Sequence, residues 1–408
     1  MEAFGRPSPG DLIAGVSVAL VAIPQSLAYA EIAGMPAQYG LYATALPSLL
    51  AALFVSSKYL QTGPVALTAL LTFGALSPLA TEQSEEYIAL AALLALLVGI
   101  LRVALGLGRL GRVAYLLSPP VLIGFTTAAA ILIASSQLPK VFDVSPDEGG
   151  VLQNAFWALT HPQDWEPIAI VFAAFTLALI FGGRRLHPLF PGVLVAVAVG
   201  ESIAAITGYD GSVVGQLDGG FITLGFDFEW GSTPELIVPA IAIALVGFAE
   251  PAAIARTFAR MDGDEWDPDR EMVSQGVANL ASAVSGAFPV GGSFSRSSLN
   301  RLAGATSAWA GAITGGVVLL ALPATPLLEN LPQAILGAIV IGAVIKLIDV
   351  RGMRQLGRTS AWHFVVGFGT LAATLATAPR VERGVIIGVV LSLVVERVSG
   401  RRFADDEF

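Results

Sequence analysis

The sequence contains no cysteine and few charged residues, and both absences narrow what the chain can be. Without cysteine it forms neither disulfide bonds nor thiolate metal sites. Charged residues fill only 13% of the 408 positions, roughly half the share usual in a soluble domain. The three histidines, His161, His187 and His363, lack the spacing of metal ligands. We expect no metal, cofactor or nucleic-acid partner. We also expect that the protein is not an enzyme, because catalysis would need a clustered nucleophile, base or metal.

Hydrophobic residues take the place of the missing charges. They fill 55% of the positions, and the mean hydropathy is +0.74. A helix of about 20 apolar residues spans a bilayer, and such stretches follow one another from Leu12–Tyr29 to Val385–Val395. The start of the chain lacks the basic stretch and cleavage site of a signal peptide, so the first apolar stretch is expected to remain as a span. The sequence predicts an all-α protein embedded in a membrane.

Fourteen apolar segments can be read between the polar, glycine-rich and proline-rich stretches. They are 11–33, 40–56, 57–80, 87–107, 115–138, 166–182, 188–207, 233–255, 271–287, 288–304, 305–322, 332–347, 361–378 and 384–398. Segments three and ten are interrupted by polar residues, glycine and proline. These two segments are therefore predicted to be broken helices.

Basic residues divide unevenly between the two sides that these segments define. With the N-terminus inside, sixteen fall on the inner side: Arg6, Arg102, Arg109, Arg112, Arg184, Arg185, Arg256, Arg260, Arg270, Lys346, Arg351, Arg354, Arg358, Arg397, Arg401 and Arg402. Three fall outside: Lys140, Arg380 and Arg383. Cytoplasmic loops carry the excess of lysine and arginine. We therefore predict a multi-pass protein of the cell membrane with both termini, including a tail at 399–408, in the cytoplasm.

Two pairs of motifs recur at a similar offset along the chain. Pro24-Gln25 and Glu250-Pro251 correspond in this way, as do the breaks at 62–64 and 289–293. Transporters often consist of two related halves, and seven segments per half, an odd number, would invert the second half. The predicted halves are 1–207 and 208–398. The alternative is coincidence, because glycine and proline are frequent here, with 44 and 24 residues.

Each break is predicted to start a half-helix inside the membrane. Proline is favoured at the first helical position, so the first half-helix should begin at Pro64 after an extended stretch. In the second break Gly291-Gly292 precede Ser293, which can cap a helix starting near Phe294. Irregular backbone at membrane depth is tolerated where it lines a cavity. The two breaks therefore mark a cavity.

If the halves are inverted, the half-helices face each other with their N-termini, which favours an anion between them. Each N-terminus offers unpaired N–H groups and about half a positive charge, and Arg296 adds a full charge. The predicted donors are Ser293, Ser295 and the backbone at Val65, Ala66 and Phe294. Two alternatives stay open: Arg296 reaching lipid phosphates instead, and Gln25, which can also reach the site, forming an interhelical hydrogen bond.

Glu250 lies deep in an apolar segment. An ionised carboxylate there costs several kcal/mol unless it is paired or protonated, so its protonation state should be able to change. Protonation would remove a charge that repels the anion, and anion and proton would bind together, which is symport. The alternative is a structural partner for Arg296. Glu31, near the end of segment one, is a lesser candidate for the coupling site.

Four stretches resemble the sulfate permease (SulP) family, called solute carrier family 26 in animals. They are PAQYGLYATALPSLLAALFVSSKYLQTGPVALTALL at 36–71, ALVGFAEPAAIAR at 244–256, QGVANLASAVSGAFPVGGSFSRSSLNRLAGATS at 275–307 and LPQAILGAIVIGAVIKLID at 331–349. The resemblance implies fourteen segments in two inverted repeats, homodimers and alternating access. It also implies a core domain of segments 1–4 and 8–11 and a gate domain of segments 5–7 and 12–14.

The resemblance also implies where ligands bind. It places the anion between half-helices three and ten, at Gly63, Pro64, Val65 and Ala66 and at 293–296, and it makes Glu250 the coupling site for a proton or sodium. The sequence departs from the family in two places: it stops at GRRFADDEF where a cytoplasmic STAS domain usually follows, and it reads DPDRE at 267–271, where the family usually has Asn-Gln-Glu.

The expected function is therefore proton-coupled symport of a small anion. The candidate substrates are dicarboxylate, sulfate and bicarbonate, with a slight preference for carboxylates because one arginine and two helix ends can engage two negative groups. The alternatives are an uncoupled exchanger or channel, a sodium-coupled symporter, and a nucleobase symporter on the same fold. Arg296 argues against the neutral ring of a nucleobase.

Overall fold

The structure is a computed structural model that describes residues 6–112, 118–146, 149–187 and 189–399. The first residues of the predicted segment 115–138 and all but the first residue of the predicted tail 399–408 lie outside the described residues.

Helices account for most of the described chain. In the first half they are α1 (Pro9–Ile32), α2 (Gln38–Phe54), α3 (Ala66–Leu76), α4 (Glu85–Leu107), α5 (Pro119–Phe142), α6 (Val151–Thr160), α7 (Pro167–Leu186) and α8 (Gly192–Thr207). In the second half they are α9 (Thr233–Asp262), α10 (Pro268–Val284), α11 (Phe294–Leu302), α12 (Trp309–Ala321), α13 (Gln333–Val344), α14 (Val350–Thr359), α15 (Ala361–Thr377) and α16 (Val381–Ser399). Two short strands, β1 (Thr62–Gly63) and β2 (Gly291–Gly292), precede α3 and α11.

The helical membrane architecture expected from the sequence is confirmed. Each of the fourteen predicted segments overlaps a helix, and six helical stretches in the described ranges are long and apolar enough to cross a membrane. Two helices were not predicted, α6 and α14. Helix α14 carries three arginines and has a polar face, so a search for apolar runs passes over it.

Helices from the two halves of the chain pack against each other in two groups. In the first group α1, α2 and α4 contact α9, α10 and α12. In the second group α5 and α7 contact α13, and α5 also contacts α15 and α16. The paired strands lie within the first group, against α2, α9 and α10. The two breaks of the sequence are thus enclosed by helices.

Glycines bring α4 and α10 into close contact. A Cβ at Gly99 would lie 2.8 Å from the backbone nitrogen of Leu280, and one at Gly276 would lie 2.7 Å from that of Val103. Small residues allow membrane helices to approach closely where lipid removes the hydrophobic drive for association. The tight contact fixes the position of α10, which packs against β1.

Arg102 does not lie in a cytoplasmic connection, where the distribution of basic residues placed it. It belongs to α4 and is fully buried. Its side chain donates hydrogen bonds to backbone carbonyls of α9 and of the segment before β2. Hydropathy could not locate it, because a single arginine at the edge of an apolar run looks like the end of a span.

Candidate functional site

The two breaks meet as a pair of antiparallel strands. Thr62 of β1 lies opposite Gly292 of β2, and Gly63 lies opposite Gly291. This pairing gives hydrogen bonds to backbone groups that lie away from water, where an unsatisfied group costs several kcal/mol. The half-helices α3 and α11 both start directly after the paired strands. The strand pairing therefore brings the N-termini of α3 and α11 close together.

Helix α3 begins at Ala66, and the prediction that it begins at Pro64 is wrong. Val65 is the N-cap, with φ −135° and ψ 150°. The reason is a long-range contact: the carbonyl of Pro64 accepts a hydrogen bond from Nη2 of Arg296 at 2.8 Å, which keeps this residue in the extended segment. Within the described part of the chain no side chain caps α3. Its first N–H groups therefore depend on a partner from elsewhere.

Ser293 caps α11, as the sequence predicted. The helix begins at Phe294, and the Ser293 hydroxyl accepts a hydrogen bond from the backbone N–H of Arg296 at 3.5 Å. The Ser295 hydroxyl lies 3.3 Å from that of Ser293. The backbone N–H of Ser293 donates to the carbonyl of Gln61 at 2.9 Å. This contact ties the start of α11 to the strand that precedes α3.

Arg296 is buried between the two half-helices. Its side chain is 1% exposed, so in this conformation it does not reach the lipid surface. Nη2 donates to Pro64, whereas Nε and Nη1 have no hydrogen-bond partner among the described residues. A buried guanidinium with free N–H donors suits an anion as its partner. The side chain is thus oriented by one break and retains donors for a ligand.

Gly63 leaves room for this guanidinium. A Cβ at position 63 would lie 3.3 Å from Nη2 and 3.4 Å from Nη1 of Arg296. The residue also has φ +150°, which side-chain-bearing residues rarely adopt. Glycine is required here for both the backbone conformation and the approach of Arg296.

Glu250 of α9 reaches the N-terminus of α11. Its half-buried carboxylate lies close to the backbone N–H of Phe294, and the charge of Arg296 acts on it. The sequence predicted that this N–H donates to the anion. In the structure the Glu250 carboxylate lies beside this N–H, and a negative charge is what a helix N-terminus favours.

Two side chains of α1, Gln25 and Tyr29, are buried and bear on the site. Gln25 is buried, and its Oε1 accepts no hydrogen bond within the described ranges. Tyr29 is also buried, and the charges of Arg296 and Glu250 both act on its hydroxyl. The sequence analysis did not single out Tyr29. Its spacing of one helical turn from Gln25, which places both on one face, was the available signal.

Glu31 is engaged elsewhere. Its carboxylate forms an ion pair with Lys140 of α5 and accepts a hydrogen bond from Nε2 of Gln333 of α13 at 2.8 Å. Glu31 therefore joins α1 to the second group of helices, an arrangement that hydropathy and motif spacing did not predict.

Helix α10 holds both strands in register. The side-chain amide of Gln275 donates to the Thr62 hydroxyl at 2.8 Å. Asn279 donates to the carbonyl of Val290 and accepts from its N–H, at 3.1 and 3.0 Å. All these side chains are buried, so the hydrogen bonds are shielded from competing water. The site is therefore rigidly supported on this side.

The sulfate permease family model matches residues 9–370 of the chain. The chain belongs to the sulfate permease family. As a member of this anion transporter family it is a transporter and not an enzyme. The resemblance read from the four sequence stretches is thus confirmed, and so is the expectation that the chain is not an enzyme.

Curated relatives include sulfate transporters of bacteria and plants. A probable sulfate transporter of Mycobacterium tuberculosis is 35% identical over 390 residues, which cover 94% of this chain and 69% of that protein. The chloroplastic sulfate transporter 4.1 of Arabidopsis thaliana is 34% identical over 396 residues, covering 94% of this chain and 57% of the plant protein. The chain therefore spans a little over half to about two thirds of these relatives.

Solved structures of the family share the fold. Murine solute carrier 26 family member A9, an anion transporter in the inward-facing state, superposes with a TM-score of 0.88 at 23% identity, covering 97% of this chain and 69% of that one. The transmembrane domain of a cyanobacterial bicarbonate transporter, BicA, gives a TM-score of 0.80 at 22% identity, covering 95% of this chain and 98% of that one. This sulfate permease family member thus has the fold of solute carrier family 26.

Proposed function

We propose that the chain carries a small oxyanion across the membrane together with a proton, and that the anion binds between the N-termini of α3 and α11. The observation that supports this most is the buried guanidinium of Arg296, which has two donors without partners in the described chain. A buried cation with free donors at a helix N-terminus has anions as its natural ligand. The names of the curated relatives favour sulfate over the dicarboxylate preferred from sequence.

Glu250 is the group through which the proton acts. Its carboxylate takes the Phe294 N–H and faces the charge of Arg296, so an ionised Glu250 competes with the anion for both. Protonation removes that competition, and the anion and proton then bind together. Sodium is the alternative coupling ion.

The two groups of helices support a mechanism of alternating access. We propose that α1–α4 and α9–α12 form the core domain, which carries the site, and that α5–α8 and α13–α16 form the gate domain. The fourteen segments are then two inverted repeats at 1–207 and 208–398. The predicted homodimer, with both termini in the cytoplasm of a cell-membrane protein, belongs to the same proposal. Arg102 is buried and is not counted among the inner basic residues, and the inner side still has a clear excess of them.

The Glu31–Lys140 ion pair joins these two domains near the end of α1 that lies outside in the proposed topology. Such a contact holds that side closed. Gln333 adds a second connection between core and gate at the same place. Opening to the outside then requires both contacts to break.

Uptake into proteoliposomes tests the function. Purified protein is given labelled sulfate, succinate or bicarbonate, with an imposed proton gradient, a sodium gradient or neither. The proposal predicts sulfate uptake that an inward proton gradient accelerates. Uptake unaffected by the proton gradient would indicate an exchanger, a channel or sodium coupling, and absence of uptake of all three anions would contradict anion transport by this chain.

A further inference from the structure

Arg102 is a buried cation without an acidic partner. Its three side-chain nitrogens donate to the carbonyls of Ala244, Val290 and Ile243 at 3.2, 3.0 and 2.9 Å. In the described part of the chain no carboxylate forms an ion pair with it, and its relative exposure is 0%. Carbonyl dipoles solvate a guanidinium but leave its net charge in place. The field of this charge therefore extends into its surroundings.

The surroundings of Arg102 include the strands of the candidate anion site. Val290, which accepts from Nη1, directly precedes β2. A Cβ at Gly247 would lie 2.7 Å from Nη2 of Arg102, and one at Gly291 would lie 3.5 Å from the Gly247 carbonyl oxygen. Gly291 in turn pairs with Gly63, beside the guanidinium of Arg296. The backbone at Gly247 thus lies between Arg102 and the strands.

The buried charges around the strands do not balance. Arg102 and Arg296 contribute two positive charges, and Glu250 contributes one negative charge that a proton removes. The other buried carboxylate of this region, Glu271, accepts the N–H groups of the loop at 56–57. It lies four residues before Gln275, the residue of α10 that donates to Thr62, about 6 Å along the helix, and it adds one negative charge beside the loop that leads to β1. When Glu250 is protonated, the two arginines therefore outnumber the one remaining carboxylate.

We propose that Arg102 is a positioning residue that makes the site prefer doubly charged anions over singly charged ones. It does so without touching the ligand, by holding the segment before β2 and by supplying the second fixed positive charge. The positive charge of Arg102 attracts a doubly charged oxyanion twice as strongly as a singly charged anion at the same distance. This inference rests on the proposed anion transport and adds the charge class of the substrate.

Two substitutions separate the charge of Arg102 from its hydrogen bonds. Arg102→Gln removes the charge and keeps a side chain that donates to carbonyls, whereas Arg102→Lys keeps the charge and loses the planar arrangement of donors. Arg354→Gln, an exposed arginine of α14, is the matched control for loss of a basic residue. Elution as a single species and the melting temperature report whether each variant folds.

The readout is the ratio of sulfate uptake to nitrate uptake in proteoliposomes at one fixed pH. One unit charge at a separation on the order of 10 Å, in an effective dielectric of about 20, changes this ratio roughly tenfold, because it acts twice as strongly on the divalent anion. We expect this fall in Arg102→Gln and a near-wild-type ratio in Arg102→Lys and in Arg354→Gln. A purely structural role would lower both uptakes together and leave the ratio unchanged.

Three outcomes overturn the inference: an unchanged ratio in Arg102→Gln, a fall in Arg102→Lys as large as that in Arg102→Gln, or a wild-type protein that prefers nitrate. The last comparison needs no variant, so it decides even if Arg102→Gln does not fold. Failure of the wild type to take up either anion contradicts the proposed transport itself and is thus distinguishable from failure of the inference.

Discussion

The guanidinium of Arg296 donates a hydrogen bond to the carbonyl of Pro64 at 2.8 Å, although 232 residues separate the two positions. This contact joins the two interruptions of the chain across its halves. It leaves Nε and Nη1 of Arg296 without a partner among the described residues. The same side chain therefore orders both breaks and provides the donors for a ligand.

Replacement of Arg296 should weaken anion binding strongly. Arg296→Gln removes the charge and the forked donors, and losing a buried charged hydrogen-bond partner costs about 3 kcal/mol, which corresponds to roughly hundredfold weaker binding. Isothermal titration of the purified protein with sulfate measures the change. Arg354→Gln serves as the control, because Arg354 is exposed on α14. Sulfate affinity unchanged in Arg296→Gln would remove this residue from the site.

Neutralising Glu250 should remove the pH dependence of transport. In the wild type, acid protonates Glu250 and frees the Phe294 N–H, so sulfate uptake should increase as the pH falls and decrease as it rises. Glu250→Gln lacks the ionisable group and should give uptake that does not change across the same pH range. The matched control is Glu235→Gln, an exposed glutamate of the same helix. A pH profile of Glu250→Gln like that of the wild type would assign the proton to another group.

A side chain at position 63 should weaken both the site and the fold. Gly63→Ala places a Cβ 3.3 Å from Nη2 of Arg296 at φ +150°, and a strained backbone of this kind costs about 1–3 kcal/mol. Sulfate binding should fall and the melting temperature should decrease. Gly182→Ala is the control, because a Cβ there meets no atom within 4 Å. Normal sulfate affinity in Gly63→Ala would mean that Arg296 does not need its observed position.

Breaking the Glu31–Lys140 ion pair should open the site toward the outside. The chain has no cysteine, so Gln25→Cys gives a single thiol that an impermeant reagent can label from one side of the membrane. Labelling from outside should increase when Glu31→Lys is added. It should return toward the starting level in the charge-reversed pair Glu31→Lys with Lys140→Glu. Equal labelling with and without the ion pair would show that it does not hold the outer side closed.

Local signals in the sequence located the apolar helices other than α6 and one of the two half-helix starts. Hydropathy located the long apolar runs, because a helix inside the membrane is apolar along its length, where it faces lipid or neighbouring helices. The cap at Ser293 was predictable because capping depends on neighbouring residues only. The start of α3 was predicted at Pro64 and lies at Ala66, since a hydrogen bond from the distant Arg296 keeps Pro64 extended.

Long-range partners were beyond the reach of local patterns. The pairing of Thr62 with Gly292 has no signature in strands of two residues, which are too short to show alternation. Arg102 looked like the edge of a span because its carbonyl partners come from other helices. The position of Tyr29 beside Arg296 likewise depends on how α1 packs. The types of residue at the site were therefore predictable, and their partners were not.

The most direct test of the central claim is an experimental structure of the protein with selenate, a sulfate analogue whose selenium gives an anomalous signal. We expect a peak between the N-termini of α3 and α11, with selenate oxygens within hydrogen-bond distance of Arg296. A protein saturated with selenate whose peak lies away from both half-helix N-termini would contradict it.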